Sequence, residues 1–192
     1  MTGTLHGLYR PEGVERQPED FYATDPAAIP PLLKVLGPEW ESGGKLILEP
    51  CCGCGHISQV LDLYGHNVIS TDLIDRGYGV GGVDFLVDNL LYDSLPYDAV
   101  ITNPPFKYAT QFIEKSLRLA PVVCMLLRTA FIESERRDKF FESYPPYRIY
   151  SFRKRPRTSK DGKFPEGEQS ATPMSWWVWH RGYTGPIIIE RI

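Results

Sequence analysis

Asn103-Pro104-Pro105-Phe106 is the stretch of this 192-residue chain whose residue types point most directly to chemistry. Two consecutive prolines fix φ twice and remove two N–H donors, so the neighbouring carbonyls meet no competing local donor. The Asn103 amide oxygen and the Pro104 carbonyl can together accept both hydrogens of an exocyclic amino group, and Phe106 offers a flat face to a π system. With both hydrogens held, the nitrogen lone pair is directed elsewhere. A positioned electrophilic carbon can then be attacked without a strong base or a covalent intermediate. The bland reading of the same residues is a strand-ending turn with Phe106 in the core.

A second candidate stretch is Glu49-Pro50-Cys51-Cys52-Gly53-Cys54-Gly55. Gly53 and Gly55 let the chain turn tightly and bring backbone close to a ligand. Asp72, 19 residues past Gly53, is placed to accept hydrogen bonds from ribose hydroxyls. Ser58 stands where a dinucleotide fingerprint has its third glycine, which favours a nucleoside without phosphates over a pyrophosphate ligand. Cys51, Cys52, Cys54 and His56 offer soft donors, but their spacing is not that of a zinc knuckle, and small buried side chains are the simpler reading. No metal is expected.

Positioning these groups requires strands that end on them. Strands are predicted at Lys45 to Leu48, Asn67 to Thr71, Tyr97 to Thr102, Val122 to Leu127, Arg148 to Phe152, Ser175 to His180 and Pro186 to Glu190. Helices are predicted at His56 to Tyr64, at Tyr108 to Leu119, and around Ser134 to Glu142. Apolar strands alternating with helices predict an α/β fold with a mostly parallel seven-stranded sheet covered on both faces. Ligands of such sheets bind beyond the carboxyl ends of the strands, where Glu49, Asp72 and Asn103 all fall. Alternation along Trp176-Trp177-Val178-Trp179 puts Trp176 and Val178 on one face and Trp177 and Trp179 on the other, as in a strand buried on both sides.

The chain is 42% apolar and 23% charged, a profile that excludes a disordered or fibrous protein and fits one compact domain, residues 21–192, after a loose arm over 1–20. It has no apolar run of membrane-spanning length and no secretory pattern at its start, so a cytoplasmic protein is expected. Four cysteines are too few for a disulfide scaffold. The net charge of −3 hides a split: residues 1–100 carry 5 Lys+Arg against 15 Asp+Glu, and residues 101–192 carry 16 against 9. Six cations of the loop 153–173, Arg153, Lys154, Arg155, Arg157, Lys160 and Lys163, together with Lys107, are the candidate contacts to nucleic-acid phosphates.

Taken together, Glu49-Pro50-x-Cys52-Gly53-x-Gly55 and Asn103-Pro104-Pro105-Phe106 resemble the amino-group class of S-adenosylmethionine-dependent DNA methyltransferases, in particular the small adenine-N6 enzymes of phages and prophages. Matching text extends over Asp20-Phe21-Tyr22-Ala23-Thr24-Asp25-Pro26, Ser70-Thr71-Asp72-Leu73, Val83-Asp84-Phe85-Leu86 and Trp176 to Trp179. The resemblance implies a class I, Rossmann-like methyltransferase fold with S-adenosylmethionine as cofactor. By position it implies that Tyr22, Thr24 and Pro26 cover the methionine end of the cofactor. Glu49, Pro50, Cys51, Gly53 and Gly55 would approach its amino acid moiety, Asp72 with Leu73 its ribose, and Asp84 with Phe85 its adenine. Asn103, Pro104, Pro105 and Phe106 would hold the target base, with Asn103 also bordering the cofactor. Asp25 departs from the pattern, since relatives often carry proline there, and no separate target-recognition domain is read.

The function implied is methylation of adenine N6 in DNA, on a base flipped out of the helix or already single-stranded. Two alternatives stay open. A glutamine amide in protein, or an exocyclic amine in RNA, presents the same planar NH2. A non-catalytic nucleic-acid binding module could also keep this fold. Phe164 is a candidate to fill the space a flipped base leaves.

Overall fold

The computed structural model describes residues 23–87, 92, 94–157, 159, 164–165 and 169–192. The expected arm, together with Tyr22, Lys160 and Lys163, lies outside the described residues.

Seven strands form one sheet: β1 (Leu46–Glu49), β2 (Asn67–Ser70), β3 (Ala99–Thr102), β4 (Val122–Arg128), β5 (Arg148–Ser151), β6 (Met174–His180) and β7 (Ile188–Arg191). Their order is β2-β1-β3-β4-β6-β5-β7. Only β6 runs antiparallel to its neighbours, and the remaining pairs are parallel. The chain leaves β1 for one edge and returns to its other side with β3, so the order reverses between β1 and β3 and opens a crevice at their carboxyl ends.

Alternating side chains feed two cores, one on each face of the sheet. Val123, Met125 and Leu127 of β4 join Trp177 and Trp179 of β6 on one side. Cys124 and Leu126 join Trp176 and Val178 on the other. This is the predicted alternation of the tryptophans, and it explains why β4 and β6 read as nearly continuous apolar runs.

Helices α1 (Ile29–Leu36) and α2 (Pro38–Glu41) precede the sheet, and α3 (His56–Leu63), α4 (Ala109–Leu119) and α5 (Asp138–Ser143) follow β1, β3 and β4. No helix was predicted over the residues of the first two, where Pro30-Pro31 and Pro38 fall. Here the prolines occupy first turns, where N–H groups have no intrahelical acceptor to lose. Ile29, Leu32 and Leu33 then pack into the second core, and the Trp176 indole donates to the Ala28 carbonyl at 2.7 Å. The polar helix expected around Ser134 to Glu142 is split: a 3₁₀ turn at Glu135–Arg137 leads into α5. Strand ends differ from expectation by at most two residues. Among the described residues no helix is long and apolar enough to cross a membrane.

Candidate functional site

Residues from three strand ends line one cleft of about 610 Å³, within the range for small-molecule sites. Glu49 to Cys54 come from the end of β1, Asp72 and Leu73 from the end of β2, and Asn103 to Phe106 from the end of β3. Thr24, Asp84, Phe85 and Lys107 complete the part of the lining foreseen from sequence.

At the β1 end, Glu49 is 1% exposed and turns back under its own loop. Its Oε2 accepts the Ser58 backbone N–H at 2.8 Å and the Ser58 hydroxyl, and that hydroxyl lies 2.6 Å from the Ser70 hydroxyl of β2. Burial pushes the Glu49 carboxyl well above its ordinary range, against the lowering effect of the Ser58 hydrogen bonds, and the nearby charges of Asp72 and Asp62 add to the rise. Ser58 is thus the partner that makes a buried acid tolerable, a role hidden when it is read only as a missing glycine. Burial also raises the Cys51 thiol, and the Cys52 thiol up to about 12, so neither is a thiolate at neutral pH.

Gly53 and Gly55 both have positive φ, 54° and 82°. Gly55 has a further reason to be glycine, since a Cβ there would meet the Tyr78 ring at 2.5 Å. The Gly53 N–H donates to Asp72 Oδ2 at 2.8 Å, and Asp72 Oδ1 accepts the Ile74 N–H at 2.9 Å. Asp72 therefore ties the loop of β1 to the end of β2. A carboxylate has about four acceptor sites, so it keeps capacity for two more donors on the cleft side.

Asp84 is exposed, and one of its oxygens accepts the Leu86 N–H at 2.9 Å. Phe85 is only 2% exposed, packed on Phe112 and Tyr92 at centroid distances of 4.9 and 5.4 Å. It lines the cleft from the floor beneath this side. Lys115 of α4 fixes the same segment from below: it is buried, lies over the Phe85 ring, and donates to the Val87 carbonyl at 2.7 Å. Its place three residues after Phe112, on the same side of the helix, was the available signal.

At the β3 end, Pro104 is buried, and Asn103 and Pro105 are half-buried. The Asn103 side-chain nitrogen donates to the Thr24 hydroxyl at 3.2 Å, an orientation that leaves the amide oxygen on the other side of the group. Thr24 thus bridges the segment before α1 to the end of β3. Pro26 is half-buried and starts a 3₁₀ turn beside it.

The basic loop divides into two parts. Arg153, Lys154 and Arg155 are exposed. Arg157, expected to meet phosphates, is committed inward instead. Its Nε and Nη2 donate to the two oxygens of Asp25 at 3.0 and 2.8 Å, and its Nη1 donates to the Phe164 carbonyl at 2.9 Å. Asp25 also accepts the backbone N–H groups of Arg157 at 2.8 Å and Ala27 at 3.1 Å. Burial alone would raise its pKa, but the Arg157 side chain, these N–H groups and the guanidinium charge together hold it below the ordinary aspartate value. The departure from proline at this position is thereby explained, since the acid pins the loop next to Thr24. Phe164 packs edge-on against the cleft residue His56 at 5.2 Å.

Neither a protein-family model nor a curated protein sequence matches the chain. Solved structures do match. The fold is that of the class I methyltransferases. A protein of Listeria monocytogenes assigned to the class I S-adenosylmethionine-dependent methyltransferases aligns with a TM-score of 0.63 at 16% identity, over 94% of this chain and 68% of its own. A candidate RNA methyltransferase of Pyrococcus horikoshii aligns with a TM-score of 0.60 at 16% identity, over 85% of this chain and 88% of its own. The methyltransferase subunit of a type I restriction-modification system of Streptococcus thermophilus aligns with a TM-score of 0.64 at 12% identity. That alignment covers 88% of this chain but 47% of the subunit, so the chain spans about half of its length.

Proposed function

We propose that this chain transfers a methyl group from S-adenosylmethionine to the exocyclic N6 amino group of adenine in DNA. The observation that carries the reading is the position of Asn103: it stands at the end of β3 beside two prolines, with its amide nitrogen engaged by Thr24, in the same cleft as the Gly53 loop and Asp72.

The residues present fit the cofactor. Asp72 retains acceptor capacity suited to ribose hydroxyls, exposed Asp84 suits an exocyclic amine, and buried Glu49, through its hydrogen bonds from Ser58, ties the end of β1 to the start of α3 beside the position an amino acid moiety would take. When bound, the cofactor supplies an electrophilic methyl carbon on a sulfonium. Asn103 and the Pro104 carbonyl would accept the two hydrogens of the target amine, and Phe106 would stack on the base. The chain's contribution is orientation and exclusion of water, with no nucleophile or strong base required.

Exposed Arg153, Lys154, Arg155 and Lys107 supply the positive edge that a polyanion needs, and the restriction-modification subunit is a likeness pointing to DNA. RNA is the second reading, favoured by the Pyrococcus likeness, which matches most of both chains. Incubation with labelled cofactor and either unmethylated DNA or RNA, followed by digestion to nucleosides, separates the two. Label in N6-methyldeoxyadenosine is expected, and Asn103→Ala should lower it by about 10²–10³-fold, the scale seen when a preorganised polar contact to the reacting group is removed. Cofactor binding by the variant should fall far less. Equal turnover in variant and parent would remove the role given to Asn103.

A further inference from the structure

We propose that Arg128 is a substrate-binding residue of this site: it covers the Phe106 ring where a base would stack, and on entry of a nucleotide its guanidinium moves to that nucleotide's phosphate. This inference rests on reading the site as one that takes an adenine base of a nucleic acid.

Arg128 is the last residue of β4, the parallel neighbour of β3, so it emerges at the same end of the sheet as Asn103. It is exposed, and its guanidinium carbon lies 4.8 Å from the centroid of the Phe106 ring. It borders Phe106 from outside the set of residues that line the cleft. Among the described residues this ring is its one partner, with no hydrogen bond or ion pair to the guanidinium.

Other arginines stacked on rings are held differently. Arg137 lies over Phe131 but donates from Nε to the Phe131 carbonyl at 2.8 Å. Arg148 lies over Tyr147 but pairs with Glu190 at 2.8 Å. Arg157, over Phe164, is spent on Asp25. Arg128 alone among these four keeps its donors unspent inside the protein, next to the one ring that the amine-gripping corner presents.

A guanidinium plane and a base are interchangeable partners for an aromatic face, and the guanidinium fork also matches a phosphate. An exposed cation–π contact is weak, whereas a charge-assisted hydrogen bond to phosphate is strong, so the exchange runs towards the nucleotide. Neighbouring Lys107, exposed and 5.1 Å from the Tyr108 centroid, adds positive charge to the same rim.

The test measures binding of a labelled oligodeoxyadenylate of about 12 nucleotides by fluorescence anisotropy across a salt series. Parent, Arg128→Ala and Arg128→Lys are compared, each saturated with S-adenosylhomocysteine, whose own affinity is measured by calorimetry. Arg128→Ala is expected to weaken oligonucleotide binding about 10-fold at low salt. The slope of log K against log salt should become shallower by about 0.7, the value for one phosphate of a single strand. Arg128→Lys should keep the parent slope, because it keeps the charge, and cofactor affinity should be the same in all three. Parent-like binding and slope in Arg128→Ala overturns the inference, as does a parallel loss of cofactor affinity, which would mark Arg128 as a prop for Phe106. A parent that does not bind the oligonucleotide overturns it too. Methylation is read separately, with labelled S-adenosylmethionine in place of S-adenosylhomocysteine: Arg128-dependent binding without labelled adenine would sink the proposed reaction and leave the contact in place.

Discussion

Glu49, which lines the cleft, and Asp25, next to the lining residue Thr24, are both buried, 1% and 3% exposed, yet their pKa values are displaced in opposite directions. Glu49 meets only neutral donors from Ser58 and the charges of other acids, so burial prevails and its carboxyl is raised well above the ordinary range. Asp25 meets a guanidinium in bidentate contact and two backbone N–H groups, and these outweigh burial. Two acids of similarly low exposure thus shift in opposite directions, because burial prevails at Glu49 and the Arg157 partner and N–H donors prevail at Asp25. The consequence is a division of labour. Glu49 ties β1 to α3 across the turn beside the candidate cofactor position. Asp25 pins a basic loop to the segment that carries Thr24, and through Thr24 to Asn103.

The largest test of this contrast is to remove the cation. Arg157→Leu leaves the Asp25 carboxylate buried and unpaired and is expected to destabilise the protein by about 2–4 kcal/mol in denaturant unfolding, below the full cost of a deeply buried pair because the Arg157 side chain is one-third exposed. Adding Asp25→Asn should recover part of that loss, giving a favourable coupling energy of at least about 1 kcal/mol in the double-mutant cycle. Additive losses would show that the pair does not set the charge of Asp25.

A smaller effect belongs to Glu49. Ser58→Ala removes the hydroxyl donor to Glu49 but keeps the backbone one, and should cost about 1–2 kcal/mol. A loss as large as that of Arg157→Leu would mean that Glu49 is ionised after all.

The pH dependence sharpens the contrast further, because the two acids have opposite sign. Glu49 has a raised native pKa, so the unfolded chain releases its proton first. Stability therefore falls as pH rises above the ordinary glutamate range, by at most about 1.4 kcal/mol per unit for this one proton. Glu49→Gln should remove that component when its stability curve is subtracted from the parent's between about pH 5 and 6. Asp25 has a lowered native pKa, so its contribution is complete above the ordinary aspartate range and is lost as pH falls through that range towards the native value. Arg157→Leu should flatten this acid limb.

Much of the architecture was legible in the chain. All seven strands were located, because short apolar runs bounded by Gly, Pro and Asp carry both the period and the stops. The alternation of Trp176 to Trp179 was readable for the same reason. Helix α1 was not, since Pro30 and Pro31 break helices everywhere except in the first turn, and which turn they occupy depends on where Ile29, Leu32 and Leu33 find their core. In the site, Asn103, Asp72 and the Gly53 loop were found from local spacing. Ser58, Lys115 and Arg128 were not, because each acts on a residue distant in the chain: Glu49, Val87 and Phe106.

By itself the sequence determined the strands, their burial and the rigid Asn103-Pro104-Pro105-Phe106 corner, since these follow from side-chain period and from the fixed φ of proline, which act within a few residues. Only the tertiary structure decided which charges stay unpaired. Arg157 and Arg128 are the same residue type, one in a basic loop and the other at the end of an apolar strand. One found Asp25, 132 positions away, and the other, among the described residues, found only a ring. Partners at that separation are chosen by how the whole chain packs, and the partner fixes whether a charge is part of the scaffold or is available to a ligand.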